Sequence, residues 1–445
     1  MRLLHIADLH IGKRVNGMSL VEDQRHILAQ IVSIAHERQV DAVLIAGDIY
    51  DKNSPSAEAV TILDWFLTEL AGLGVRVLGV PGNHDSAERI AYAQELLAAQ
   101  GVCFPPVFDG SVACVELADA HGQVGIWLLP CLRPGDVRRF FPDAQIGDDY
   151  SAALRAVLSA CPVDAAQRNV IVAHQFVTAG GVEPERADDE IKLGGIDNVD
   201  ASVFDRFDYV ALGHVHRSQR VGRDTVRYAG SPLKYSFSEV RYNKSVVLVE
   251  LGEKDSGDAT GACVSFELVP LVPLRDMREV RMTLAELLAL GLGQDGKVVA
   301  DTETAADAGA GAAEGSAAAA DVLDGGESGD TAPDDDASAS QDSPAPRPCD
   351  FIDDYLHITL TDAHPQMDAM QKIRAVFPNA MMVDYDNAAI LAARGQARKA
   401  VDPDRLDTVQ LFAQFYEEQA GEPMDEAQRT FVEAVVRDIE GGAAR

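Results

Sequence analysis

Short apolar runs separated by amphipathic stretches dominate the first part of the chain. Residues 2–7, Val40–Ala46 and Val75–Val80 are runs of strand length bounded by polar or turn residues, the pattern of strands buried on both faces. Between them Ser19–Arg38 carries Leu20, Ile27, Leu28, Ile31 and Ile34 at helical spacing, and Ser54-Pro55 opens a second helix reaching about Leu70. This alternation predicts a β-α-β-α-β unit with a parallel sheet. A helix is expected near 86–99, and residues 111–130 alternate as a hairpin does. Further strands are expected at Asn169–Ala173, Tyr209–Leu212, Val226–Ala229 and Val246–Leu251. The expected fold is α/β, with two sheets packed face to face, flanked by helices and ending near residue 270.

A second, smaller α/β unit begins near Pro273, with a strand at 278–283 and a helix over Leu284–Leu290. It resumes with a strand at Tyr355–Leu360, a helix at Gln366–Val376 and a strand at Met381–Tyr385. Residues 302–349, rich in Ala, Gly, Asp and Ser, interrupt it; with almost no large apolar side chains they cannot repay their ordering entropy, so disorder is expected there. From about 404 onward, Leu406, Val409, Phe412, Phe415 and Tyr416 share one helical face. Beyond the turn at Gly421-Glu-Pro423, Phe431, Val432, Val435, Val436 and Ile439 share another. Two amphipathic helices need a surface, either their own chain or a partner. The expected division is 1–270, 271–395 with the insertion, and 404–445.

Composition narrows the picture little until its distribution is considered. The net charge of −33 disfavours a polyanionic partner, but the segment 301–350 alone holds thirteen acidic residues against one basic residue, Arg347. Any phosphate binding must therefore be local, through metals and a few basic side chains. The six cysteines show no Cys-x-x-Cys pair, which argues for reduced thiols and the cytoplasm. The first residues read as a strand rather than a signal peptide, and no apolar stretch reaches membrane-span length.

The chemistry-bearing residues gather where the predicted strands end. Pro81-Gly82-Asn83-His84-Asp85 follows the Val75–Val80 strand, and an amide, an imidazole and a carboxylate in succession at a sheet edge are costly unless they bind something. Asp8-Leu-His10, Gly47-Asp48-Ile-Tyr-Asp51, Ala173-His174 and Gly213-His214-Val-His216 occupy equivalent places. Each alone is weak, and His5, His26, His36 and His121 fit ordinary packing or surface roles. Together, Asp8, His10, Asp48, Asn83, His174, His214 and His216 offer donors suited to manganese, iron or zinc, and seven such side chains can hold two ions if Asp48 bridges.

The series D-x-H, G-D-x-x-D, G-N-H-D, H and G-H-x-H resembles the calcineurin-like metallophosphoesterase superfamily, with all five blocks intact between residues 8 and 216. More narrowly, the opening Met-Arg-Leu-Leu-His-Ile-Ala-Asp-Leu-His-Ile-Gly and the block Tyr228-Ala-Gly-Ser-Pro-Leu-Lys-Tyr-Ser-Phe-Ser238 resemble the nuclease subunits of bacterial ATPase–nuclease complexes. That resemblance implies a two-sheet sandwich with a small capping domain and C-terminal helices, and two divalent ions, Mn2+ foremost. One ion would take Asp8, His10, Asp48 and His216; the other Asp48, Asn83, His174 and His214. His84 would protonate the leaving oxygen, oriented by Asp51 or Asp85. Also implied are cleavage of DNA ends and hairpins, a homodimer joined to two coiled-coil ATPase subunits gripped by the tail, and a cytoplasmic, nucleoid-associated place. The acidic insertion departs from the compact capping domain of that family.

Lys13, Arg14, Arg89, Lys192, Arg217 and Lys234 are candidate backbone contacts or plain surface charge. Tyr235 and Phe237 are candidate base-stacking rings or loop packing. A small-molecule phosphodiesterase and a non-catalytic DNA-end clamp are the competing readings.

Overall fold

A computed structural model describes residues 1–186, 198–254, 262–292 and 351–386, with isolated positions between 409 and 436. Lys192, the insertion at 302–349 and most of the tail lie outside the described residues. Two compact units emerge, one comprising Met1–Val280, Ala285–Ile358 and Met370–Val383, the other Arg281–Leu284, Thr359–Ala369 and Asp384–Arg445.

In the first unit the chain runs β1 (Arg2–Ile6), α1 (Val21–Glu37), β2 (Ala42–Ala46), α2 (Ala57–Gly72), β3 (Arg76–Val80) and β4 (Val102–Cys103). It continues through β5 (Ala113–Asp119), β6 (Gly122–Leu129), α3 (Tyr150–Ala160), β7 (Arg168–His174), β8 (Tyr209–Gly213), β9 (Gln219–Val221), β10 (Arg223–Tyr228), β11 (Ser245–Lys254) and β12 (Ala262–Pro270). Among the described residues these strands make two six-stranded sheets, ordered β12-β11-β1-β2-β3-β4 and β9-β10-β8-β7-β6-β5. β1, β2 and β3 pair in parallel, as do β7, β8 and β10. The expected two-sheet α/β sandwich is therefore the observed fold.

The sheets meet over a layer of aliphatic side chains that includes Ala42, Leu44, Val80, Ile126, Val172 and Ala211. The other face of the first sheet is covered by α1 and α2 through Ile27, Ile31, Ile62 and Phe66. The other face of the second is covered by α3 through Leu154, Val157 and Leu158. β2, β7 and β8 have no exposed residue, which is why they read as continuous apolar runs. β5 alternates half-buried and exposed positions, as an edge strand does.

The helix expected at 86–99 is instead two short pieces, Ala87–Ile90 and Gln94–Ala98, broken at Ala93, which is left-handed with φ 56°. Tyr92 and Leu96 are 80% and 75% exposed, so the segment lacks the buried stripe that holds a longer helix together. Helix α3 and strand β12 add to the expected elements. Past β12, Met277–Met282, Tyr355–Leu360 and Ala380–Tyr385 form a three-stranded sheet, with a helix at Leu284–Leu292 and another at Ala369–Arg374. Among the described residues no helix is long and apolar enough to cross a membrane.

Candidate metal centre

Five of the parallel strands end at one edge and deliver ligand-type side chains. β1 leads into Asp8 and His10, β2 into Asp48, β3 into Asn83 and His84, β7 ends on His174, and β8 leads into His214 and His216. Adjacent strand ends are in register: Gly213 pairs with His174, and Ala46 with Val80. The backbone bends sharply there. Asp8, His10, Asp48 and His214 all have positive φ, at 53°, 43°, 49° and 108°. For residues other than glycine such conformations cost about 1–3 kcal/mol each, and they persist where surrounding structure enforces them. Two glycines make room: a Cβ on Gly47 would lie 2.3 Å from His174 Nδ1, and one on Gly82 would lie 2.2 Å from Asp48 Oδ1.

The seven predicted ligands converge. Asp48 Oδ2 lies 3.7 Å from His10 Nε2 and 3.4 Å from His174 Nε2, a central position between the two histidines. His10 Nε2 and His216 Nε2 approach to 3.2 Å. Asn83 Oδ1 lies 2.9 Å from His174 Nε2 and 3.0 Å from His214 Nδ1. The His214 amide donates to Asp8 Oδ1 at 3.0 Å, and the His84 amide donates to Asp48 Oδ1 at 2.9 Å. Asp8, His10, Asp48 and His174 are buried.

The electrostatics call for a cation. Burial pushes Asp8 up to about 7 against the pull of His174 and His216. Burial also opposes ionisation of Asp48, but His174, His10 and His84 outweigh it and hold that carboxyl far below the usual range. Burial drives His10 well down and His214 down to about 3, so both imidazoles are neutral and have a lone pair to give. His174 goes the other way: desolvation disfavours its charge, but Asp48 and Asp8 raise it to about 9. Its Nδ1 faces the main-chain oxygen of Ala46 at 2.9 Å, so Nε2 meets Asn83 Oδ1 as a second acceptor unless a positive charge sits between them. A divalent ion would supply that charge. His10 Nδ1 is a buried nitrogen without a hydrogen-bond partner. Three overlapping groups of donors, Asp8-His10-His216, His10-Asp48-His84 and Asp8-Asp48-His174, lie close enough among the described residues to hold an ion. The residues fit a divalent metal.

His84 is half-exposed beside this cluster, its ring edge-on to His10 at 4.9 Å between centroids. Its Nδ1 meets the main-chain oxygen of Asp51 at 3.0 Å, which accepts the ring proton and leaves Nε2 free to act. Neither carboxylate expected to orient His84 is committed to its ring. The Asp51 side chain pairs with Lys13 at 3.0 Å. Asp85 accepts backbone amides from Ile49, Tyr50 and Gly82 at 3.0, 2.9 and 2.9 Å, clamping the β2 and β3 loops together.

One residue in contact with the candidate ligands lies outside every motif read from the sequence. Glu239, with no solvent exposure, meets His216 Nδ1 at 3.0 Å and Lys244 Nζ at 2.5 Å. Burial opposes its charge, but Lys244 and His216 prevail and hold it at about 2. Lys244 also donates to Ser231 Oγ at 2.8 Å and to the main-chain oxygen of His216 at 3.0 Å. A carboxylate behind a ligand histidine fixes its tautomer, and the signal that would have found it is the rule that metal-binding imidazoles need such an acceptor.

Several basic candidates are already engaged. Lys234 pairs with Asp276 at 2.8 Å, Arg217 with Glu185, and Arg14 donates to the Gly17 carbonyl. Tyr235 is core, its hydroxyl donating to the Leu9 carbonyl, and Phe237 packs on His357 with ring centroids 5.2 Å apart.

A double-sheet sandwich with carboxylates, imidazoles and an amide crowded at its parallel edge defines a metallophosphoesterase. A family model described as calcineurin-like phosphoesterase matches residues 1–218, and one described as type 5 capsule protein repressor C-terminal domain matches residues 347–420. The D-subunit of the nuclease SbcCD from Staphylococcus epidermidis is 31% identical over 283 residues, covering 63% of this chain and 72% of that protein. Among solved structures, a dimetal phosphatase from Danio rerio aligns over 62% of this chain and 98% of its own at 16% identity and a TM-score of 0.38. The protein TT1561 of Thermus thermophilus aligns over 59% and 97% at 11% identity and a TM-score of 0.32. The chain belongs to the calcineurin-like phosphoesterases, within their SbcD group.

Proposed function

We propose that this chain is the nuclease subunit of an SbcCD-type complex, hydrolysing DNA phosphodiester bonds as a 3′→5′ exonuclease on double-stranded ends and an endonuclease on hairpins and single strands. The reading is supported by the gathering of the seven candidate ligand side chains at one sheet edge, together with the 31% identity to a protein named as an SbcCD nuclease subunit. Asp8, His10, Asp48 and His216 would hold one divalent ion, and Asp48, Asn83, His174 and His214 a second; Mn2+ suits this mixed oxygen and nitrogen set. When bound, such ions neutralise the scissile phosphate and acidify the attacking water.

The chain's own residues do the rest. Asp48 is the bridging carboxylate between the two ligand groups. His84, its Nδ1 proton held by the Asp51 carbonyl, presents Nε2 to the departing 3′-oxygen and donates a proton there. Asp85 keeps Gly82 and the loop after β2 in place, so that Asn83 and His84 face the donors on β2. In this reading residues 271–395 cap the catalytic domain, and the apolar faces of 404–445 bind the SbcC ATPase, two copies of each subunit forming the working cytoplasmic complex in DNA repair, recombination and replication.

Cleavage of a DNA hairpin is expected to require added manganese and to stop with EDTA. His84→Gln is expected to lower kcat by about 10²–10⁴-fold while manganese binding, followed by calorimetry, stays within about twofold. An enzyme that hydrolyses bis-p-nitrophenyl phosphate but no DNA sinks the nuclease reading in favour of a small-molecule phosphodiesterase. A parent protein inactive on both substrates revives the non-catalytic clamp.

A further inference from the structure

A cleft of about 330 Å3 opens directly from the metal centre, with Asn83 and Pro81-Gly82 on its inner wall. Its lining also carries two phenyl rings, two arginines and three carboxylates. Phe108 and Phe140 meet edge to face with centroids 5.4 Å apart, and the Arg139 guanidinium lies 4.5 Å from the Phe140 ring centre. Arg133 shares this wall. The three lining carboxylates each accept from a neutral protein donor rather than from either arginine side chain: Asp85 from three backbone amides, Asp136 from the Arg133 amide at 3.0 Å, and Glu88 from the Ser86 hydroxyl at 2.8 Å. Among the described residues neither Arg133 nor Arg139 has a carboxylate partner, whereas the adjacent Arg138 pairs with Asp148 at 2.8 Å. In a chain with a net charge of −33, two guanidiniums without a carboxylate partner beside half-buried rings and a candidate metal ligand are a directed feature.

We propose that this cleft is a nucleotide subsite, taking the base and phosphate of a nucleotide next to the scissile bond. The chemistry is complementary at each point. A base has flat apolar faces that stack on phenyl rings and guanidinium planes, its phosphate is the anion the arginines lack, and its neighbour along the strand would lie at Asn83. Stacking of this kind accepts any base, so the subsite selects unpaired or frayed nucleotides without reading sequence. The assignment rests on the reading of the chain as a nuclease.

The test removes the two halves of the contact separately. Manganese-dependent cleavage of a single-stranded oligonucleotide is measured for the parent, Phe140→Ala and Arg139→Ala proteins, with the base deleted in turn from each nucleotide flanking the cleaved bond. At one flanking position, base deletion should lower parent kcat/KM by about tenfold, Phe140→Ala should lower it comparably, and the two losses should not add. Arg139→Ala removes the guanidinium that lies over the Phe140 ring together with its charge, and should raise KM about tenfold and flatten the salt dependence of binding. Fully additive losses, or variants that cleave as the parent does, overturn the subsite. Variants with parental cleavage that no longer co-purify with the ATPase also overturn it, assigning the cleft to a protein partner. A parent that hydrolyses bis-p-nitrophenyl phosphate but not DNA overturns the nuclease reading itself, and the nucleotide assignment with it.

Discussion

Glu239 shows how much of the centre depends on single side chains outside the ligand set. Its carboxylate stays ionised without solvent because Lys244 and His216 face it, and it in turn keeps the His216 Nδ1 proton away from the metal side of the ring. Glu239→Ala leaves Lys244 buried beside an unoriented imidazole, and manganese affinity measured by calorimetry should fall about 10–100-fold, with Glu239→Gln recovering part of it. His5 is the counter-example of a histidine near the site in sequence only. It bonds the Tyr209 hydroxyl at 3.0 Å and the Leu212 carbonyl at 3.1 Å, and burial pushes it down to about 3. The unfolded chain therefore binds a proton below about 6.5 that the folded one refuses. This contribution to stability is present above pH 6.5 and is lost on acidification towards pH 3, at about 1.4 kcal/mol per pH unit. Urea unfolding at pH 7 and pH 5 should show that loss, and a smaller one in His5→Gln. At this scale residue types were legible and contacts were not: the chain order Asp51, His84, Asp85 does not reveal that a main-chain oxygen, rather than either carboxylate, steadies the imidazole.

The strand ends place the ligands, because parallel strands in register deliver their last residues to one line. β1, β2, β3, β7 and β8 were all visible as apolar runs, since burial on both faces erases alternation. The bends that follow them are tightly packed. Gly47, at φ 86°, has no room for a methyl group against His174, so Gly47→Ala should destabilise the fold by on the order of 2–4 kcal/mol and lower metal affinity with it. Thermal unfolding with and without manganese separates the two effects. Elements that pack on one face were harder to see. The segment 86–99 has helix-forming residues, but Tyr92 and Leu96 meet solvent, and it breaks at Ala93. Edge strand β12 alternates, but its partner β11 is the only reason it is a strand.

For the whole molecule the question is how an acidic chain works on a polyanion. The centre answers locally: its carboxylates and imidazoles are arranged to receive cations. The tail belongs to the same scale. Deleting residues 404–445 should abolish co-purification with the SbcC ATPase while leaving manganese-dependent hydrolysis of bis-p-nitrophenyl phosphate within about twofold of the parent. Retained co-purification would sink the partner role assigned to that segment.

The sequence by itself determined the class of fold and singled out the candidate metal-ligand side chains, because strand burial and ligand chemistry are written in residue type and short spacing. Only the tertiary structure decided which partners orient them. His216 and Glu239, His84 and the Asp51 carbonyl, and Asn83 and the Phe108–Phe140 cleft are brought together by sheet register and loop geometry. Such contacts depend on where whole elements lie, and no local pattern along the chain encodes that.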